Sequence, residues 1–179
     1  VHLAAIVGDP ACASNPELTR EVNLEASLQL LDFAQRYDVS RFIFASTCSN
    51  YGKMPDPSDC VTENSALRPI SLYADTKVAV ERKLLDLSSE ECPGITVLRF
   101  ATAFGLSPRM RFDLTVNDFA LQVLTNRKLE VYGQQFCRPY IHVVDIARAV
   151  CLVIDQPIER VGARVFNIGD TSQNYTKGQ

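Results

Sequence analysis

Apolar residues in this chain gather in short runs, with longer stretches between them in which apolar and polar positions alternate at helical spacing. The runs are Val1 to Ile6, Arg41 to Ala45, Ile95 to Phe100, Leu129 to Tyr132 and Val165 to Gly169. The first of these suits a buried parallel strand and the turn after it, and the other four read as short strands. The first helix is expected from an Asn15-Pro16-Glu17 start to about Tyr37, with Leu18, Val22, Leu30, Leu31 and Ala34 on its apolar side. The second opens at Pro69 and continues to about Leu87 through Val78, Val80, Leu84 and Leu85. A third follows an Asp113 cap to about Thr125, and a fourth spans Val143 to Ile154 with Asp145 in its first turn.

Punctuation agrees with this reading. Gly8 to Asn15 reads as a loop, Met54 to Arg68 as an irregular surface excursion, and Cys92-Pro93-Gly94 as a stop. Ala101 to Arg111 is a second loop, and Phe136 to His142 is extended. Strands alternating with helices predict an α/β fold whose mostly parallel sheet carries helices on both faces. The chain shows no internal repeat, low-complexity tract or interdomain linker.

At 179 residues the chain can bury a sizeable core, and 46% hydrophobic with 22% charged residues is an ordinary globular balance. A net charge of -3 and an isoelectric point near 5.4 give no electrostatic reason to expect nucleic acid as the partner. No apolar run reaches the ~20 residues that a bilayer demands, and the first residues lack a signal peptide's basic start, so no membrane association and a cytoplasmic location are expected. The six cysteines are scattered without a C-x-x-C pair or a Cys/His cluster, which predicts free thiols and no metal site.

The candidate chemistry lies in Leu72-Tyr73-Ala74-Asp75-Thr76-Lys77, where helical spacing puts a phenol and an ammonium one turn apart on one face. A nearby cation favours the phenolate, so the pair can move a proton if a hydroxyl and a hydride acceptor lie close by; an ordinary exposed Tyr/Lys pair is the plain alternative. Ser46-Thr47-Cys48-Ser49-Asn50-Tyr51-Gly52 follows a strand, where open α/β sheets bind ligands, although a polar turn needs no ligand. Asn23 interrupts an apolar helix side, either bonded to water or buried to hold a neighbouring loop or a cofactor.

In order, His2-Leu3-Ala4-Ala5, Val22-Asn23, F-A-S-T-C-S-N-Y-G, Y-A-D-T-K, L-R-F and R-P-Y-I-H-V-V-D resemble the blocks of the extended short-chain dehydrogenase/reductases. The resemblance is to their NAD-dependent epimerase/dehydratase branch, which acts on nucleotide sugars, and it covers nearly the whole chain. It implies a Rossmann-like, doubly wound sheet with part of a small C-terminal substrate lobe. Residues 1–105 would be the C-terminal half of the NAD-binding domain, and 106–179 a mixed substrate-binding segment with returning sheet elements. It implies a Thr47, Tyr73 and Lys77 triad, with Ser46 as the competing hydroxyl. NAD, with NADP not excluded, would meet Leu3, Ala4, Ala5, Asn23, Ser46, Tyr73, Lys77 and Phe100. The nucleotide-sugar substrate would meet Thr47, Asn117, Tyr132 and Arg138, with Arg109 and Arg111 as further phosphate candidates. A homodimer through a four-helix contact is also implied.

Departures from the pattern narrow the reaction. The family's glycine-rich pyrophosphate turn is absent and the chain starts at its fourth strand, so the first strands are expected to be missing and the chain to be an internal piece of a longer enzyme. Cys48-Ser49 stands where 4,6-dehydratases carry Asp-Glu, and Ser49 where fucose-forming relatives carry a cysteine. That leaves 4-epimerisation or simple oxidoreduction. The alternatives are an extended reductase of a non-nucleotide ketone or alcohol, and a non-catalytic dinucleotide binder of the same fold.

Overall fold

Three of the five apolar runs lie side by side as one parallel sheet. In the computed structural model, which describes residues 1–53, 60–87 and 94–179, the order is β1 (Phe42–Thr47), β2 (Ile95–Phe100) and β5 (Arg164–Ile168). Phe42 pairs with Ile95 and Thr47 with Phe100, and Phe100 with Ile168 on the other side, so the three carboxyl ends are level. Part of the surface excursion (54–59) and the Cys92-Pro93 stop lie outside the described residues.

Side chains alternate across a strand, and here both sides are covered. Phe42, Phe44, Ile95 and Val97 pack with Leu31 of α3 (Ala26–Arg36) and with Val80 and Leu84 of α4 (Leu72–Leu87). Ile43 and Leu98 face the other way, onto Val153 of α6 (Val143–Asp155) and Val161 of α7 (Ile158–Val161). This is the doubly wound layering that largely apolar strands require. A second small sheet has β3 (Thr102–Phe104) parallel to β4 (Cys137–His142), and β4 antiparallel to β6 (Asn174–Thr176). The remaining helices are α1 (Asp9–Ser14), α2 (Pro16–Arg20) and α5 (Thr115–Asn126).

Several expectations are corrected. The Val1–Ile6 run joins the sheet only at His2, which bridges Phe44 and exchanges backbone bonds with Ile43 and Ala45. The Gly8–Asn15 segment is not all loop, because Pro10, a first-turn residue, helps start α1. Asn15 caps α2 as expected, accepting from Leu18 N at 3.1 Å, but the long helix is broken by a π-helical turn at Glu21–Glu25. That turn aims the buried Asn23 amide at the Ile6 backbone, which offers a physical reason for the break. The Tyr73 helix starts at Leu72 rather than Pro69. Asp113 does not cap α5; its carboxylate pairs with Arg111, Nε to Oδ1 at 2.7 Å, and Leu114 stands at the cap. Leu129–Tyr132 forms no strand, and its Glu130 N–H donates to the Gln122 side chain at 3.2 Å instead.

Among the described residues, Cys12, Cys48, Cys60, Cys137 and Cys151 are free thiols. No helix among them is long and apolar enough to cross a membrane.

Candidate active site

A cavity of about 520 Å³ opens at the carboxyl ends of β1 and β2, where an open α/β sheet places its ligands. Tyr73, Lys77 and Thr47 all line it, with Ser46 and Phe100 from the strand ends. Leu3 and Ala5 contribute from the N-terminal segment, and Asn117 and Arg138 from the C-terminal part. Ala4, Asn23 and Tyr132 do not line it.

Helical spacing on α4 delivers the phenol and the ammonium to the same side. Lys77 is only 2% exposed, and its ammonium lies 4.6 Å from the centroid of the Phe44 ring and 5.9 Å from that of Tyr73. It donates to the Ala45 carbonyl at 2.8 Å, one of the three bonds an ammonium can make. Burial holds its pKa down to about 8, against the opposing pull of the Glu81 carboxylate. Tyr73 Oη bonds to no other described residue. Burial pushes the phenol up to about 12, Cys12 adds to the rise, and Arg111 opposes it. Without a ligand, then, the phenol keeps its proton, because the loss of water outweighs the cations around it. The expectation that Lys77 helps to hold a phenolate requires a further positive charge in the cavity.

Thr47 Oγ1 accepts from Ser49 N–H at 3.2 Å, capping the 3₁₀ turn Cys48–Tyr51 and leaving its own proton to donate. Gly52 ends that turn at φ +72°, and a Cβ there would stand 2.0 Å from the Arg68 carbonyl oxygen. The Cys48 thiol donates to the Phe100 carbonyl at 2.9 Å, and burial raises its pKa to about 11, so it is no thiolate nucleophile.

Other named residues have different work. Asn23 is 1% exposed and takes the Ile6 N–H at 2.7 Å while donating to the Ile6 carbonyl at 2.9 Å, so it holds the segment carrying Leu3 and Ala5. Ser46 lines the cavity, but its hydroxyl is committed to a short hydrogen bond with Glu81. Asn117 Nδ2 donates to the Arg111 carbonyl at 3.1 Å, tying down the loop before α5. Tyr132 is 78% exposed in a separate concavity with Asp118 and Lys128. Arg138 is exposed at the rim, and it also borders an adjoining cavity of about 470 Å³.

A buried polar cluster, whose Arg99, Tyr51 and Asn167 line the adjoining cavity, escaped the sequence reading. Glu81 and Arg99, 1% and 3% exposed, form an ion pair at 2.7 Å, and Arg99 Nη1 donates to Tyr51 Oη at 2.8 Å. Tyr51 in turn donates to Asn167 Oδ1 at 2.6 Å, linking β5 to the turn after β1. Its sequence signal is an arginine inside the buried strand I-T-V-L-R-F, a charge that has to find a partner.

Comparison with known proteins supplies a family. The NAD dependent epimerase/dehydratase family matches residues 1–169. An uncharacterized UDP-glucose epimerase, YtcB of Bacillus subtilis, is 31% identical over 172 residues, covering 94% of this chain and 52% of that relative. The UDP-glucose 4-epimerase of the same organism is 26% identical over 193 residues, covering 98% of this chain and 56% of its own. Among solved structures, UDP-glucuronic acid 4-epimerase from Bacillus cereus, in complex with UDP-glucuronic acid and NAD, superposes with a TM-score of 0.85 at 26% identity, over 98% of this chain and 55% of that one. The chain thus spans about half the length of the curated relatives it matches. With a doubly wound sheet, a Tyr/Lys helix at its carboxyl edge and a family match over residues 1–169, this chain belongs to the NAD dependent epimerase/dehydratase family.

Proposed function

We propose that this chain forms part of an NAD-dependent epimerase or oxidoreductase of nucleotide sugars, with Tyr73 as its proton-transfer group. One observation carries the reading: Thr47, Tyr73 and Lys77 share a single cavity with Asn117 and the rim guanidinium of Arg138. The relatives supply the substrate class, since they include UDP-sugar epimerases, one of them in complex with UDP-glucuronic acid and NAD.

The residues present fit the nicotinamide ribose end of the dinucleotide. Lys77 is a buried ammonium with only one hydrogen bond to a described residue, so its remaining N–H groups suit ribose hydroxyls. When bound, the oxidised nicotinamide supplies a hydride acceptor and a positive ring. Tyr73 Oη takes the proton of the sugar hydroxyl being oxidised and returns it when the carbonyl is reduced. Thr47 Oγ1 donates to that oxygen as charge develops and fixes its direction. Lys77 holds the ribose and favours the phenolate. Arg138 offers a two-pronged donor to the diphosphate. Phe100, Leu3 and Ala5 supply nonpolar wall beside the reacting groups.

The test is the full-length protein incubated with NAD and UDP-glucose, UDP-glucuronic acid or UDP-N-acetylglucosamine, with products resolved by the anomeric proton resonances. Tyr73→Phe is expected to lower turnover by about 10²–10⁴-fold. If no substrate gives product or reduced cofactor, or if Tyr73→Phe matches the wild type, the proposal is wrong. Turnover of a non-nucleotide ketone that survives Arg138→Ala would move the assignment to a reductase of another substrate class.

A further inference from the structure

We infer that Glu81 is a positioning residue which locks the Thr47 turn to the Tyr73–Lys77 face of α4, setting the distance between the hydroxyl and the phenol. The inference rests on the proposed role of Thr47.

Tyr73, Lys77 and Glu81 follow one another at four-residue intervals, so all three lie along one stripe of α4. The first two reach the cavity, while Glu81 runs underneath its floor. Its carboxylate accepts from Ser46 Oγ, the residue before Thr47, and from Asn50 Nδ2 at 2.7 Å, three residues after it. Asn50 Nδ2 also donates to Ser46 Oγ at 3.0 Å, closing a small ring that grips both sides of Thr47. From β2, Arg99 donates through Nε at 3.1 Å and Nη2 at 2.7 Å to Oε2 of the same carboxylate.

Every group around Glu81 in this cluster is a donor: a hydroxyl, an amide NH₂ and a guanidinium. The two oxygens of a carboxylate accept from all of them, whereas an amide would set its own N–H against one of theirs. Asn50 illustrates how strongly the charge decides orientation. Its NH₂ is turned to Glu81 and Ser46, and its buried Oδ1 is left without a partner among the described residues. A buried acceptor is left unpaired at a real cost, so the contact with the carboxylate outweighs it.

Other bonds hold the turn as well, from Arg68 N–H to the Asn50 carbonyl at 2.9 Å, from Cys48 to the Phe100 carbonyl and from Tyr51 to Asn167, but among the described residues none of these joins it to α4. Thr47 is fastened by the Ser49 N–H at 3.2 Å, and the turn closes by Gly52 N–H to the Ser49 carbonyl at 3.1 Å. Glu81 therefore supplies a strong charged anchor joining this turn to the helix that bears the base.

The test uses the full-length protein carrying Glu81→Gln, Ser46→Ala or Ser46→Thr, with two readouts. The first is amide hydrogen exchange at Ser49 and Gly52, against α6 amides as an internal reference. Glu81→Gln is expected to speed exchange in the turn by about 10-fold more than in α6, and Ser46→Ala by a smaller factor in the same place. The second is the kinetics of NAD-dependent turnover of UDP-glucose. Ser46→Ala is expected to lower kcat with KM unchanged, Ser46→Thr to restore it, and the Ser46→Ala effect to vanish in a Thr47→Ala background. Should Glu81→Gln fail to fold, Ser46→Ala carries both readouts, since it leaves the Glu81–Arg99 pair in place.

Equal acceleration in the turn and α6, or a kcat loss that persists undiminished without Thr47, would overturn the inference. A wild-type protein inert toward nucleotide sugars counts against the proposed function instead, and the exchange comparison still decides whether Glu81 holds the turn.

Discussion

Two polar groups of residues meet along one stripe of α4, and they are built in opposite ways. In one, Glu81, Arg99, Ser46 and Tyr51 pair with one another, and each charge meets its complement. Facing the cavity, Lys77 makes one hydrogen bond and Tyr73 Oη makes none to a described residue, and burial drives both pKa values toward their neutral forms. The paired group holds the scaffold in register. The unpaired group carries a desolvation cost that only a ligand can relieve. Buried polarity alone therefore does not single out the proposed site; incomplete pairing beside a cavity is what supports it.

The sharpest way to break this contrast is to strike the paired side. Arg99→Met leaves the Glu81 carboxylate buried without its cation, and a loss of about 3–5 kcal/mol in unfolding free energy is expected in urea titrations. A change below about 1 kcal/mol would show that the two polar groups do not differ as described.

Striking the unpaired side should act in the reverse sense. Lys77→Met removes a buried ammonium whose pKa has fallen from an ordinary 10.5 to about 8, a shift worth about 3 kcal/mol before the lost bond to Ala45 is deducted. A net gain of about 1–3 kcal/mol at pH 7, together with loss of turnover, is expected. The pH dependence follows. Below pH 8 the group is charged both folded and unfolded, and the buried charge costs stability. Between pH 8 and 10.5 the folded form sheds its proton first, so the wild type should recover stability as pH rises, and Lys77→Met should lack this rise. Parallel melting curves for the two proteins across that window would contradict the assignment.

An effect of similar size to that at Lys77, but without loss of turnover, is expected at Asn23, which supports the cavity wall from outside it. Asn23→Ala breaks both bonds to the Ile6 backbone and should cost about 1–3 kcal/mol, read as a lowered melting temperature. Weaker NAD binding by titration calorimetry, with little change in kcat, would show that it acts through the Leu3–Ala5 segment. No change in either quantity would return Asn23 to an ordinary helix residue.

Much of this was legible before any coordinates. Short, largely apolar runs identified β1, β2 and β5, because a strand covered on both faces buries most of its side chains. The four-residue step from Tyr73 to Lys77 placed two reactive groups on one face, since helical geometry alone fixes that relation. Element ends were read less well. Leu129–Tyr132 has strand composition but finds no partner strand, and Asp113 is drawn from its cap by Arg111. In both cases a distant partner decided the outcome, and local propensity does not report on partners.

Chain chemistry alone, then, determined the three strands of the main sheet and which helix face would carry the phenol and ammonium, while the arginine inside β2 left its counter-charge unnamed. Tertiary structure decided that the counter-charge is Glu81, that Ser46 serves it rather than the cavity, and that Tyr132 stands elsewhere. The reason is one of range. Periodicity and spacing act within a few residues, whereas the pairing of buried charges and the direction of burial pKa shifts depend on which segments the fold brings together.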